Sequence, residues 1–406
     1  MTSTLLPPTV RPWPSVSRPS SSTSPVAGPA AKPAGTGLGL HILRDRVGAP
    51  AADLGALLSP VPQISLAPRG LGTSAVTFWK PPAEPEAEEP RLFCPGPIRD
   101  DRALGEHVNE AVVDWAERIG IYPGRLDKLR SANFGRFMML AHPQTRDPDR
   151  LLAATKCLVA EWATDDYYVD EVSLGAEPMV VGSRLAKLHA VTDRASLPRR
   201  YAAEMDEHHR LQPISEAFRT AMEHLGRYTS VAQMGRFQHQ MTILFLAWGQ
   251  EADWHVNGRT PPVWEYLVQR HLNSYLPPMI LIDVLAGYEL PPNEFFHPKV
   301  REAYTTAGNA AVLVNDLYSG KNESDTDHNL PTVLMAEEKL THREAVLRTV
   351  EIHNELMRTF VRLAAELSVT GSPQLRQFLA DTWAWTGGSR EWHATTGRYH
   401  SDTKEN

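Results

Sequence analysis

Apolar residues recur at intervals of three and four along most of this 406-residue chain, from about residue 101 to residue 392. In residues 101–121, Leu104, Val108, Val112, Trp115 and Ile119 fall on one face of a helix. Runs in which apolar and polar residues alternate strictly are scarce. This part of the chain is therefore predicted to be all-α, with short connections that contain glycine and proline.

The same periodicity predicts eight further helices. They cover about residues 125–140, 149–165, 213–228, 230–254, 263–284, 299–318, 342–367 and 373–392. Helices of this length and number are enough to build one large helical domain.

Proline divides the chain into two compositional parts. Of the 33 prolines, 18 fall in the first 100 residues, together with serine, alanine, glycine and threonine. Such a composition buries too little apolar surface to fold. We therefore expect a disordered tail over residues 1–90, a globular domain over 91–400 and a short C-terminal tail over 401–406.

Charge and cysteine content restrict the location and the partners. The formal net charge of −7 gives no positive field that would attract nucleic acid or an anionic membrane. No apolar run approaches the ~18 residues that a membrane-spanning helix needs, and the N-terminus lacks the apolar core of a secretory signal. With only Cys94 and Cys157, a disulfide framework is excluded. We expect a cytoplasmic protein without a membrane span.

The first chemical signal is TDDYYVDE at residues 164–171, at the end of a predicted helix. Asp166 and Asp170 are four residues apart and share a helix face, and Asp165 lies beside them. Their carboxylates can converge on a hard cation. Taken alone, the segment is equally compatible with solvated charge at a helix end.

The second signal is VNDLYSGKNESD, in which Asn315, Ser319 and Glu323 stand at i, i+4 and i+8. One amide oxygen, one hydroxyl and one carboxylate thus form a stripe on one helix face. Such a set suits Mg²⁺, which takes a few protein oxygens and leaves other positions to water and phosphate oxygens. This loose pattern is common, so on its own it proves little.

Both motifs together, in this order and 150 residues apart, resemble those of the class I terpene synthase family. The resemblance implies an α-helical bundle around a central active-site cavity. It also implies an enzyme that uses Mg²⁺, as three ions, to expel diphosphate from an allylic substrate and to cyclise the resulting carbocation. The implied metal ligands are the two sets of residues given above, with Asp165 also implied in catalysis.

The resemblance extends to residues that bind diphosphate. Arg398 and Tyr399 resemble the family's C-terminal Arg-Tyr pair, and Arg270 resembles its diphosphate-sensing arginine, near Asn273 and Ser274. These three residues are implied in catalysis and in diphosphate binding, and Lys321 is a further implied diphosphate ligand. The chain departs from some members of the family at position 322, where asparagine replaces a lysine.

Within the family, segments such as RLFCPGPIRDD, SANFGRFMMLAHP and WAWTGGSREWH resemble the actinobacterial 2-methylisoborneol synthases. That resemblance covers residues 91–400. It implies 2-methylgeranyl diphosphate as substrate, 2-methylisoborneol as product and a homodimer. The pathway that it implies is ionisation, isomerisation, two ring closures and capture by water.

A carbocation also needs a dry pocket whose aromatic faces stabilise it through cation–π attraction. The candidates from the sequence are Phe134, Phe137, Trp162, Phe245, Trp248, Tyr275, Trp385 and Trp392. For any one of them, an ordinary core position is the alternative.

Three other functions stay open at the level of the sequence. A related cyclase would act on geranyl or farnesyl diphosphate, and the volume of the active-site pocket would distinguish it from an enzyme that uses 2-methylgeranyl diphosphate. A prenyl-elongating enzyme is disfavoured because its family carries two Asp-rich motifs. A noncatalytic helical scaffold would show no Mg²⁺-dependent diphosphate binding.

Overall fold

The computed structural model of the protein describes residues 91–170, 175–319 and 328–400, and within these ranges it is helical without a β-strand. The α-helices are α1 (Arg102–Ile119), α2 (Leu126–Ala132), α3 (Phe134–Ala141), α4 (Pro148–Asp165), α5 (Val181–Thr192), α6 (Arg199–Arg210), α7 (Pro213–Leu225), α8 (Val231–Asn257), α9 (Val263–Leu272), α10 (Leu276–Met279), α11 (Ile282–Ala286), α12 (Pro292–Phe295), α13 (Pro298–Ser319), α14 (Leu330–Glu338), α15 (His342–Thr370), α16 (Pro373–Thr395) and α17 (Gly397–His400). A π-helical turn, Asp166–Asp170, follows α4, and a 3₁₀ turn, Pro178–Val180, precedes α5. The predicted all-α fold is confirmed. The two predicted tails, Lys321 and Glu323 lie outside the described residues.

Several helix ends follow from local capping. The Asp147 side chain accepts hydrogen bonds from the backbone amides at the start of α4, where Pro148 occupies the first turn. Ser230 and Gln233 form a capping box at the start of α8, and Thr341 forms one with Glu344 at the start of α15. Each cap fixes where a long helix begins.

Two predicted helices are interrupted in the structure. The predicted helix over 125–140 breaks at Asn133, whose φ of 52° places it in the left-handed region between α2 and α3. The predicted helix over 263–284 is divided into α9, α10 and α11. The first of its two breaks lies just before Pro277 and Pro278, which have no amide hydrogen to donate to a helix, and the second lies at residues 280–281. In both cases the apolar period continues across a change in backbone direction.

Five of the described helices, α5, α6, α12, α14 and α17, were not predicted. α12 and α17 have only four residues each, too few to show a period. α6 has no buried residue over its whole length and so carries no apolar stripe, whereas α5 buries Val181, Leu185 and Leu188 on one face and could have been found.

The two motif-bearing helices lie in the interior of the bundle. α4 packs against α1, α3 and α7, and α13 packs against α15 and α16. Backbones approach closely where α3 meets α16, since a Cβ on Gly388 would lie 2.3 Å from the Leu140 carbonyl oxygen. Short α10 packs against α4, α8 and α13, and so connects both motif-bearing helices. Among the described residues, no helix is both long and apolar enough to cross a membrane.

Candidate active site

The first motif lies where α4 changes into the π-helical turn Asp166–Asp170. A single π turn widens the helix and is frequent at functional sites. Asp166 is buried, and Tyr122 donates a hydrogen bond from its hydroxyl to Asp166 Oδ2 at 2.6 Å. Arg398 Nη2 lies 3.7 Å from Asp166 Oδ1. The backbone of Asp170 continues the turn, while its side chain lies outside the described part of the structure.

Asp165 occupies the most crowded acidic position. Burial raises the pKa of its carboxyl well above the usual range, and the nearby carboxylates of Glu251 and Asp166 raise it further, against the opposing effect of Arg398 and Arg270. Several carboxyl groups are therefore held together with little solvent between them. A divalent cation would relieve their repulsion.

The second motif is held at Asn315, near the end of α13. Asn315 Oδ1 accepts a hydrogen bond from Arg270 Nη2 at 3.2 Å, and Asn315 Nδ2 donates one to the Tyr399 hydroxyl at 2.8 Å. Ser319, half-buried one turn further on, is the last residue of α13. Both side chains therefore share one helix face, as predicted.

Arg270 extends from α9 to the same helix. Its Nε donates to Asp316 Oδ1 at 3.0 Å, and its Nη2 also contacts that oxygen. Asp316 is itself buried: its Oδ2 accepts hydrogen bonds from the Tyr266 hydroxyl at 2.8 Å and from Leu330 N at 3.0 Å. Arg270 Nη1 lies 3.4 Å from the Asn273 carbonyl oxygen, which ties the arginine to the residues after α9. These contacts hold the Arg270 side chain in place, so it is not an unpaired arginine on the protein surface.

Arg398 and Tyr399 contact the two motifs from one point in the chain. Arg398 reaches Asp166 of the first motif, and Tyr399 accepts the hydrogen bond from Asn315 of the second. The Arg398 guanidinium lies 4.1 Å above the Trp162 ring, an arrangement that fixes its plane. The structure thus places the predicted metal ligands that it describes beside the predicted diphosphate ligands Arg270, Arg398 and Tyr399.

Most of the predicted aromatic residues form one cluster next to this site. Phe137 stacks on Trp392 with ring centroids 4.7 Å apart, and Tyr275 and Trp385 contact Phe137 edge-on. Trp162 and Phe134 join through Trp392. Phe245 and Trp248 instead stack on each other along α8, at 5.7 Å.

Sequence reasoning missed several residues of the site. Tyr122 and Tyr266 hold the acidic side chains in place through hydroxyl groups, and Glu251 accepts hydrogen bonds from Gln269 and Asn273.

His393 beside the aromatic cluster was also missed. Its Nε2 is 2.9 Å from the Tyr275 hydroxyl, and its ring stacks on Tyr399. Asp316 was missed as well. It is an acidic residue next to Asn315 in the second motif, on the inner face of α13, and so is the one missed residue that the sequence could have indicated.

Comparison with known proteins decides the family. The sequence profile of Terpene synthase family 2, C-terminal metal binding, matches residues 156–359. A 2-methylisoborneol synthase from Saccharopolyspora erythraea is 34% identical over 352 residues, covering 84% of this chain and 98% of the relative. The chain belongs to the terpene synthase family. Another 2-methylisoborneol synthase, from Streptomyces lasalocidi, is 34% identical over 84% of this chain and 75% of its own length.

Solved structures support the same family membership. The crystal structure of 2-methylisoborneol synthase from Streptomyces coelicolor in complex with Mg²⁺ and 2-fluoroneryl diphosphate superimposes with a TM-score of 0.73. It is 33% identical, and the match covers 76% of this chain and 97% of that one. The present chain is therefore a class I terpene synthase with an α-helical fold, and the Streptomyces coelicolor enzyme that it resembles was crystallised with Mg²⁺.

The side chains fit such a metal. Asp165, Asp166 and Asn315 offer carboxylate and amide oxygens, the hard ligands that Mg²⁺ prefers. Arginines lie within the same group of contacts, so that a bound anion would also be neutralised.

Proposed function

We propose that this terpene synthase converts 2-methylgeranyl diphosphate and water to 2-methylisoborneol and diphosphate. The proposal is supported most directly by two contacts: Arg398 lies against Asp166 of the first motif, and Tyr399 is hydrogen-bonded to Asn315 of the second. Residues of both motifs therefore lie next to the proposed diphosphate ligands. The substrate follows from the similarity to 2-methylisoborneol synthases over more than four fifths of the chain. The alternative is a cyclase acting on geranyl or farnesyl diphosphate.

Metal ligation is proposed for Asp165, Asp166, Asp170, Asn315, Ser319 and Glu323, with three Mg²⁺ ions. Bound Mg²⁺ would supply positive charge that stabilises the departing diphosphate and so lowers the barrier to ionisation. The crowded acidic environment of Asp165 supports this role. The Tyr122 hydroxyl keeps one oxygen of Asp166 oriented through its hydrogen bond.

Diphosphate binding is proposed for Arg270, Arg398 and Tyr399, and for Lys321. In the described contacts each arginine lies against a proposed metal ligand: Arg270 against Asn315 and Arg398 against Asp166. Substrate binding would therefore exchange some of these partners: the arginines would turn to phosphate oxygens and leave Asn315 and Asp166 to the metal, while Arg270 keeps its bond to Asp316. We expect Mg²⁺ and diphosphate each to bind more tightly in the presence of the other.

The carbocation is proposed to form beside the aromatic cluster. Cation–π attraction is worth roughly 0.5–2 kcal/mol for each ring face of this cluster that the cation reaches. Arg398 above Trp162 marks where the cluster meets the diphosphate position. Ionisation at that boundary would leave the cation facing the rings and the anion facing the arginines.

Homodimer formation and a cytoplasmic location are proposed as well, on the family resemblance and on the two free cysteines. Light scattering coupled to size-exclusion chromatography would test the dimer. A mass of one chain at micromolar concentration would rule it out.

Product analysis tests the proposed reaction. Purified enzyme is incubated with Mg²⁺ and, separately, with 2-methylgeranyl, geranyl and farnesyl diphosphates, and the volatiles are identified by gas chromatography with mass spectrometry. We expect the methylated C11 substrate to give one dominant bicyclic tertiary alcohol, and a chelator to abolish it. Preference for geranyl or farnesyl diphosphate would establish the alternative cyclase. No reaction with any of the three would exclude the cyclase proposal.

A further inference from the structure

Four buried polar side chains on the inner faces of α4, α8 and α11 have atoms without a hydrogen-bond partner in the described structure. They are Glu161 Oε1, both amide atoms of Gln240, Arg236 Nε and Nη1, and Asp283 Oδ1. Exposure of these residues is 5% for Glu161, 1% for Gln240, 4% for Arg236 and 0% for Asp283. Buried polar atoms are rarely left unpaired, because each one loses its hydration on folding.

Three of these groups interact electrostatically with one phenol, that of Tyr304. Burial raises the pKa of Tyr304, Arg236 acts to lower it, and the carboxyl groups of Asp283 and Glu161 act to raise it. Arg236 Nη2 donates to Asp283 Oδ2 at 2.6 Å, so these two side chains are in direct contact. Gln240 follows Arg236 by one turn of α8 and lies on the same face.

Short α10 is the shared neighbour of the three helices that carry Glu161, Gln240 and Tyr304. It packs against α4, α8 and α13, and the Tyr304 hydroxyl donates to the Leu276 carbonyl oxygen in α10 at 2.6 Å. Glu161 and Gln240 therefore lie on helices that meet at α10, and Gln240 neighbours the directly bonded pair of Arg236 and Asp283. We refer to Glu161, Gln240, Arg236 and Asp283 as the inner polar group.

The inner polar group lies on the interior side of the metal site. Glu161 precedes Asp165 by one helical turn on the same face of α4, a rise of about 6 Å. Further along this face, Arg150 donates to the Val284 carbonyl oxygen of α11, so the face points toward the centre of the bundle. A molecule hydrogen-bonded to Glu161 would therefore lie about one turn of α4 deeper in the bundle than the metal site.

Water is the ligand that suits these groups. Guanidinium and amide N–H groups donate, while amide and carboxylate oxygens accept, and a buried water typically makes about three hydrogen bonds to such groups. Burial raises the pKa of Glu161 well above its usual range, which favours the neutral form of its carboxyl group. A neutral carboxyl group binds water without offering an anionic oxygen that would trap a carbocation as an ester.

We propose that the inner polar group binds water inside the bundle and that this water captures the final carbocation. An oxygen lone pair of the water forms the new C–O bond at the cationic carbon. One O–H bond of the resulting oxonium breaks, and the proton passes to the diphosphate anion released by ionisation. Glu161 and Gln240 are thus positioning residues, and they determine whether the reaction ends in an alcohol or, by proton loss from carbon, in a hydrocarbon. The inference rests on the proposed cyclase function.

The test replaces the two positioning residues separately by a similar apolar side chain, Glu161→Met and Gln240→Met. At complete consumption of 2-methylgeranyl diphosphate, we expect the alcohol fraction to fall by about fivefold or more in each variant, with C11 hydrocarbons in its place. Turnover of substrate should change by less than about threefold, because ionisation depends on the metal site. Glu161→Gln, which keeps a polar oxygen, should retain most of the alcohol.

Thr155→Val is the matched control. Thr155 is buried on α4, but its hydroxyl is already bonded to the Leu151 carbonyl oxygen at 2.8 Å, so its loss should leave the product ratio unchanged. A wild-type alcohol fraction in both methionine variants would overturn the proposal. So would a high-resolution crystal structure of the wild-type enzyme without water within hydrogen-bonding distance of Glu161 or Gln240, a measurement that needs no variant to fold. Failure of the wild-type enzyme to form any alcohol would instead overturn the proposed function.

Discussion

Asn315 makes two hydrogen bonds through one amide: Nδ2 donates to the Tyr399 hydroxyl at 2.8 Å, and Oδ1 accepts from Arg270 Nη2 at 3.2 Å. The oxygen proposed to bind Mg²⁺ is therefore already directed by a proposed diphosphate ligand. Likewise, the C-terminal Tyr399 is attached to the second motif before any substrate binds. One amide thus connects three parts of the chain that are far apart in sequence.

The first prediction concerns this amide. Replacing Asn315 by alanine removes a proposed metal ligand and the side chain that bonds Tyr399, and turnover should fall by roughly a hundredfold or more. Stopped assays of diphosphate release and thermal melting would measure activity and folding together. Asn257→Ala is the control, because that exposed asparagine bonds only within its own helix. Near-normal kinetics for Asn315→Ala would argue against the proposed metal site.

The second prediction concerns stability at Asp316. Its carboxylate accepts from Arg270, Tyr266 and Leu330 N and so connects α9, α13 and α14. Asp316→Ala leaves a buried guanidinium without its main partner, and we expect the free energy of unfolding to fall by about 3–5 kcal/mol. Urea denaturation would measure it. The exposed pair of Arg194 and Asp206 provides the comparison, because Asp206→Ala should cost about 1 kcal/mol or less. Equal losses in both variants would contradict the argument.

The third prediction concerns Arg398 and distinguishes the effect of its positive charge on diphosphate binding from that of its planar guanidinium group. Arg398→Lys keeps the positive charge but loses the planar guanidinium that lies over the Trp162 ring and that could bind phosphate at two points. We expect Mg²⁺-dependent binding of inorganic diphosphate to weaken by roughly tenfold, and by more in Arg398→Ala, as titration calorimetry would show. Arg259→Lys is the control, since that arginine pairs with Glu265 at the surface. Unchanged affinity in Arg398→Ala would remove this residue from the diphosphate site.

The fourth prediction concerns the start of the globular domain. Asn354 accepts from Phe93 N at 2.7 Å and donates to the Arg91 carbonyl oxygen at 3.0 Å, so the first described residues are already bonded to α15. A chain lacking residues 1–90 keeps both contacts. It should melt at the same temperature and turn over substrate within about twofold of the full chain. A large loss of turnover per folded enzyme would assign the first 90 residues a catalytic role.

The sequence predicted the helical class and the two acidic motifs because both are local: helical period depends on burial, and carboxylates spaced by one turn share a face. The break at Asn133 depends on a left-handed backbone angle that apolar spacing does not report. Partners such as Tyr122 on Asp166 and Tyr266 on Asp316 join residues 44 and 50 positions apart, which periodicity cannot detect. The inner polar group is assembled in the same way, by tertiary packing alone.

The fifth prediction concerns acid stability. Burial lowers the pKa of His142 to about 3 and those of His353 and His393 to about 4, from 6.5. Below pH 6.5 the unfolded chain binds protons that the folded chain does not. The stabilisation is therefore complete above pH 6.5 and is lost as the pH falls toward 4, by up to about 1.4 kcal/mol per pH unit for each histidine.

Urea denaturation at pH 7, 6 and 5 would measure this loss. His142 is the histidine to replace, because both of its ring nitrogens are buried without a partner among the described residues. His142→Leu should make the decline shallower by up to about 1.4 kcal/mol per pH unit, and the exposed His208→Gln should leave it unchanged. An identical pH dependence in wild type and His142→Leu between pH 7 and 5 would show that His142 takes up its proton in the folded enzyme as readily as in the unfolded chain. Its buried ring nitrogens would then need a compensating partner.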